Sequence, residues 1–155
     1  MTLQENDMVN CASLSDGASQ GALIVFVKGH NGLVAPILWQ SKKLVRVTKS
    51  PLASETSAAG EAADAGFFVA SMLAEILKKP QLPTVHCFTD SKSLVENAMN
   101  TKMPSDRKLR VDMSRLRQMI ENDEITLSWV ELRVRINWLI VSPKAVLRLS
   151  FYCRH

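Results

Sequence analysis

Long apolar runs are missing from this 155-residue sequence. None approaches the roughly 18 to 20 residues that a membrane-spanning helix needs, so a helical membrane protein is excluded. The opening Met1-Thr2-Leu3-Gln4-Glu5-Asn6-Asp7 has neither the basic start nor the apolar stretch of a secretory leader. An intracellular location is the default expectation. Cysteine is scarce: Cys11, Cys87 and Cys153 are odd in number, far apart in the chain and in no C-x-x-C pair. That spacing excludes a disulfide framework of the small secreted kind and a zinc-finger site. His30, His86 and His155 are equally scattered, which leaves no cluster of soft metal ligands. Internal repeats and low-complexity segments are also absent.

What is present is ordinary globular composition, 46% hydrophobic and 22% charged, in a length that suits one domain with a real core. The formal charge of +4 is unevenly placed. Residues 132–155 hold Arg133, Arg135, Lys144, Arg148 and Arg154 and no acid, so fourteen basic residues face fifteen acidic ones over 1–131. The basic character belongs to the tail.

Leu23–Val27 is a short apolar run before Lys28-Gly29-His30-Asn31-Gly32. It reads as a strand entering a hairpin, because Asn-Gly readily supplies the positive φ angles of tight turns. Leu33–Val47 reads as a longer strand bent at Pro36, with Lys42, Lys43 and Arg46 marking a sheet edge. From Leu52 to Leu77 the period becomes helical, with Pro51 at its start and Lys78-Lys79-Pro80 at its end. Thr84–Phe88 reads as a buried strand and Ser91–Asn97 as a short helix. Another helix is capped by Ser105 or Asp106 and carries Leu109, Met113, Leu116 and Ile120 on one side. Ile125–Val130 alternates as a last strand. Strands joined through helices imply parallel pairing beside the antiparallel hairpin, hence a mixed α/β sheet.

Two carboxylates stand out. Stepping by 4, 7, 8 and 11 residues from Glu55 lands on Ala59, Ala62, Ala63 and Gly66, a stripe that lets a helix lie close against a sheet. Glu55 lies on that packed side, and Glu61 and Asp64 on the more exposed one. Asp90 ends an apolar strand and opens a helix, where ligands of open α/β sheets bind. Each also has a bland reading: Glu55 favours a helix N-terminus electrostatically, and Asp90 caps the next helix. Two such carboxylates meeting at one sheet end would suit a hard divalent cation such as Mg²⁺.

Gln40-Ser41-Lys42-Lys43, Ser50-Pro51-Leu52-Ala53-Ser54-Glu55-Thr56 and Phe88-Thr89-Asp90-Ser91-Lys92-Ser93-Leu94 occur in order. Ser15-Asp16-Gly17-Ala18-Ser19-Gln20-Gly21 precedes them, and Ser105-Asp106-Arg107-Lys108-Leu109-Arg110-Val111-Asp112 follows. Together these blocks resemble the ribonuclease H domain that ends the Pol polyprotein of copia-type LTR retrotransposons, over about residues 7–131. The resemblance implies a five-stranded mixed sheet flanked by helices, fused in its family context to reverse transcriptase. It also implies hydrolysis of the RNA strand of RNA–DNA hybrids by two Mg²⁺ or Mn²⁺ ions held by four carboxylates. Glu55 matches the helix glutamate and Asp90 the strand-end aspartate.

The other two positions depart from the pattern. Asp7 is the nearest match to the family's first aspartate, about one residue out of place, which implies a truncated first strand ending ahead of Asn10–Leu14. Asp16 is the fallback. The fourth aspartate belongs in a Gln-Leu-Ala-Asp-x-Leu-Thr-Lys segment soon after Trp129-Val130, where this chain has Ile136–Ala145 and no acid follows Glu131. Codons for Ile136 onward, read from their third base, can spell Gln-Leu-Ala-Asp-Cys-Leu-Thr-Lys, and the single codon of Trp138 fits. A frameshift between about Glu131 and Ile136 is therefore expected. It divides the chain into a ribonuclease H-like domain, 1–131, and an off-family tail, 132–155.

The leading expectation is a nuclease-derived domain, impaired by the missing carboxylate and acting on RNA–DNA hybrid. Arg107, Lys108 and Arg110, with Arg115 and Arg117, are candidate phosphate contacts, against the bland alternative of a solvated helix face. A non-catalytic nucleic-acid- or protein-binding module of the same fold is the second reading, and a transposon relic the third.

Overall fold

The computed structural model describes residues 8–15, 20–29, 34–43, 50–100 and 104–130. The order is β1 (Met8–Ser15), β2 (Gln20–Lys28), β3 (Val34–Lys43), α1 (Pro51–Ile76), β4 (Val85–Thr89), α2 (Lys92–Met99), α3 (Arg107–Glu121) and β5 (Ile125–Trp129). The strands form one sheet in the order β3-β2-β1-β4-β5. β1, β2 and β3 pair antiparallel, while β4 is parallel to both β1 and β5. The expected mixed α/β sheet is what is found. No helix among the described residues is long and apolar enough to cross a membrane.

One strand lies elsewhere than the resemblance implied. The first strand does not end ahead of Asn10–Leu14 but contains that segment, pairing along its whole length with β2 and over Asn10–Ser13 with β4. Burial on both faces fits the placement between β2 and β4: Val9, Cys11 and Ser13 are buried on one side, and Asn10 and Ala12 on the other. Asn31-Gly32, Asp7, Asp16 and the tail 132–155 fall outside the described residues.

Each row across the sheet shows why one face takes the helices. Leu38, Val25, Cys11, Cys87 and Leu127 stand side by side from β3 to β5 and pack in the main core with α1 and α3. The neighbouring row, Trp39, Ile24, Ala12, Phe88 and Ser128, faces the other way. A register shift opposite Val25 and Phe26 marks the bend near Pro36.

α1 begins where Ser50 accepts the Ala53 N–H at 3.2 Å and Pro51 fills the first turn. It ends as Lys78 turns into the left-handed region, φ 52°. Ala59, Ala62, Ala63 and Gly66 are buried as the spacing predicts. The approach is closest at Gly66, where an added Cβ would lie 2.7 Å from Val85 Cγ1. α3 is capped by Asp106, which accepts from Lys108 N at 2.8 Å. Leu109, Met113, Leu116 and Met119 are its buried residues. Met119 takes the place expected of Ile120, which packs only partly buried.

Candidate active site

β4 alternates inward Val85, Cys87 and Thr89 with outward His86 and Phe88, and at its end the chain turns through Asp90 into α2. Ser91 is the hub of that turn. Its backbone N–H donates to Thr89 Oγ1 at 3.3 Å, and its hydroxyl caps α2 by accepting from Leu94 N at 3.2 Å. The same hydroxyl donates to Glu55 Oε2, and Ser93 Oγ lies 3.1 Å from it. Ser91 is buried and Glu55 half-buried, so the bond between them joins the first turn of α1 to the start of α2 partly shielded from solvent.

The turn is also held from β5. Val130 N donates to Thr89 O at 2.9 Å, and Trp129 Nε1 donates to Asp90 O at 3.2 Å. These bonds fix the backbone of Asp90 and leave its carboxyl at the surface edge. Burial by the surrounding atoms pushes that carboxyl above the ordinary aspartate range, and the residue's own backbone N–H offsets this only in part.

Glu55 and Asp90, 35 positions apart in sequence, are thus brought to one edge of the sheet, with the Glu55 carboxylate bonded to the residue after Asp90. Their oxygens are the donor type a hard divalent ion takes. Among the described residues no third acid, histidine or cysteine joins them in a group able to hold a metal. On the β1 side the register sets Ser13 beside Thr89, so the neighbouring strand supplies a hydroxyl there.

The basic residues of α3 divide into two sets. Arg115 Nη2 is 2.6 Å from Asp64 Oδ1, tying α3 to α1. Arg117 donates to Ala98 O and, at 2.7 Å, to Asn97 O, tying α3 to α2. Both are occupied in packing. Arg107, Lys108 and Arg110 are exposed in the first turn, with Arg110 reaching back to Ser105 O at 3.4 Å. α3 runs against the strand direction, since Glu124 O just beyond it accepts from Val85 N at the start of β4, at 3.0 Å. Its first turn therefore points toward the edge where β4 ends. A separate polar cleft of about 190 Å³ lies between α1 and α3, lined by Gly60, Asp64, Asp112 and Arg115 among others, and neither Glu55 nor Asp90 lines it.

Sequence reasoning placed Ser91 only at a helix start and Trp129 only in a strand. The Thr-Asp-Ser order gave a signal for Ser91, since a hydroxyl after a strand-end acid can cap and bridge at once. No local pattern marks the indole of Trp129 as a donor to Asp90.

No family model matches the sequence, and no curated protein matches it. Solved structures do match. One is LC11-RNase H1, isolated from compost by a metagenomic approach, with TM-score 0.52, 12% identity, and 82% of this chain and 85% of that one covered. Another is RNase H1 from the halophilic archaeon Halobacterium salinarum NRC-1, with TM-score 0.50, 15% identity and coverage of 80% and 84%. A third is the prototype foamy virus protease-reverse transcriptase, with TM-score 0.51 and 14% identity, where 84% of this chain matches 18% of that one. This is a ribonuclease H-like fold. At these identities the likeness carries the fold and its strand order, and the chemistry of the ribonuclease H-like chain must be argued from its own residues.

Proposed function

We propose that this chain is a ribonuclease H-like domain of copia-type retrotransposon descent, whose ancestral activity is metal-dependent hydrolysis of RNA in RNA–DNA hybrids and whose present activity is impaired. The observation that carries the reading is the Glu55 carboxylate bonded to Ser91, next to Asp90, at the end of β4. Glu55 and Asp90 would hold a divalent cation, Mg²⁺ or Mn²⁺, which when bound supplies charge neutralisation at the scissile phosphate and an activated water. Ser91 holds the Glu55 carboxylate, and Trp129 fixes the backbone that carries Asp90. Arg107, Lys108 and Arg110 would take backbone phosphates of the hybrid. The likeness to one part of a protease-reverse transcriptase chain supports a history of fusion to a polymerase, and a hybrid substrate would be met inside the cell.

Impairment follows from the donor set. Asp7 rests on the resemblance alone, and the register of β1 weighs against it. Met8 pairs with Lys28 five residues before Ser13 reaches Thr89, a distance of about 16 Å along a strand. The fourth carboxylate is absent from the sequence after Glu131, and a frameshift accounts for it. The coding DNA tests that point, because the idea requires G as the third base of the Leu139 codon.

The direct test is cleavage of a labelled RNA–DNA hybrid with Mn²⁺ or Mg²⁺. Slow cleavage abolished by Glu55→Gln and by Asp90→Asn is the expected result. A second reading, a non-catalytic module that binds hybrid, draws on the same shortage of metal ligands among the described residues. Binding without cleavage at any metal concentration would favour it.

A further inference from the structure

The cysteines that are 76 positions apart in sequence meet in the middle of the protein. Cys11 and Cys87 are directly opposed on the parallel strands β1 and β4, and their sulfurs lie 2.7 Å apart. Both are reduced, and both are buried, with Cys11 at 0% and Cys87 at 4% exposure. Opposed residues on paired strands point the same way, and both side chains lie under α1. There the Cβ of a residue replacing Gly66 would come within 3.4 Å of Cys11 Cβ and 3.5 Å of its sulfur. The two sulfurs are in direct contact beneath the stripe of small residues on α1.

We propose that Cys11 and Cys87 form a redox-sensitive staple between the central strand β1 and its parallel neighbour β4, closing to a disulfide when the chain folds in the presence of a small-molecule disulfide oxidant. The placement fits the bond: neighbouring strands bring opposed Cα atoms within the span that a disulfide bridges. In the exchange, the thiolate of one cysteine attacks the small disulfide, forms a mixed disulfide and releases one small thiol. The second cysteine's thiolate then attacks the protein sulfur of that intermediate, forms the Cys11–Cys87 bond and releases the second small thiol. Two electrons pass to the oxidant, and the two cysteine protons go to the departing thiolates.

Burial decides when this happens. The contact with Cys87, followed by desolvation, holds the Cys11 thiol well above its ordinary range, and the folded core admits no bulky reagent. The reduced native protein is therefore inert, and closure belongs to folding or to global opening. Once closed, the staple would pin β4 to β1 three residues ahead of Asp90. This inference does not depend on the nuclease reading.

The test uses the full chain carrying Cys153→Ser, unfolded and refolded with oxidised glutathione. The product should be lighter by the mass of two hydrogen atoms, yield a Cys11–Cys87 peptide on digestion, and melt on the order of 10 °C higher than the reduced form. Adding Cys11→Ala should abolish both changes. Should that variant not fold, the mass and the digest decide alone. Recovery of both thiols free after oxidative refolding would overturn the proposal, as would an oxidised form that melts lower than the reduced one.

Discussion

The two ends of β4 carry polar groups of the same kinds and treat them in opposite ways. At the start, Thr84 Oγ1 donates to Asp123 O at 3.0 Å, Val85 N donates to Glu124 O, and His86 Nδ1 lies 2.9 Å from Thr126 Oγ1. Each group there is satisfied by a neighbour, and of the acids in that turn Asp123 is exposed while Glu124 accepts from Asn122. At the finish, Ser91 donates to Glu55, Trp129 fixes the Asp90 backbone, and partial burial raises the pKa of the Asp90 carboxyl although its own backbone N–H bonds to it. One end is built to hold the fold together, and the other carries the two carboxylates that the proposed ion site would use.

If that contrast is right, substitutions at the two ends should differ in sign as well as size. The largest effect is expected at the structural end. Ile125, 1% exposed and paired with Val85, should on change to alanine lose about 2–5 kcal/mol, read by urea denaturation, with no loss of ion binding by the folded fraction. Next comes the middle of α1. Gly66→Ala forces Val85 to move and should cost about 1–2 kcal/mol after its gain in helix propensity. Gly60→Ala meets nothing within 4 Å and should gain about 0.5–1 kcal/mol. Equal effects at the two glycines would remove the close helix–sheet approach.

The smallest effect is expected at the functional end, with reversed sign. Because the folded chain raises the Asp90 pKa above the ordinary aspartate value of 3.8, it binds that proton more tightly than the unfolded chain does. Stability should then fall as pH rises from 3.8 through the raised value, and above it the charged form carries a fixed cost. Asp90→Asn escapes that cost. It should melt slightly higher than the wild type at neutral pH and lose the advantage below 3.8. A variant less stable than wild type at pH 7 would make Asp90 a structural cap.

Much of this was legible in the chain. Short apolar runs found β2 and β4, alternation found β5, and helical spacing found α1 and α3, each to within a few residues. The small-residue stripe under Glu55 pointed to the packed side of α1 by the same helical spacing. What was not legible depends on register between distant segments. The position of β1 followed from pairing with both β2 and β4. The meeting of Cys11 with Cys87, cysteines judged far apart, needed the same register. Arg115 and Arg117 read as surface charge like Arg107, and only the placement of Asp64 and of the end of α2 separates them.

The central claim is that Glu55 and Asp90 together bind a divalent ion, and calorimetric titration of the whole chain with Mn²⁺ tests it most directly. Saturable binding at pH 7 that is lost in both Glu55→Gln and Asp90→Asn, and that weakens as acid protonates Asp90, is the result expected. Titration curves for either variant that overlay the wild type would contradict it.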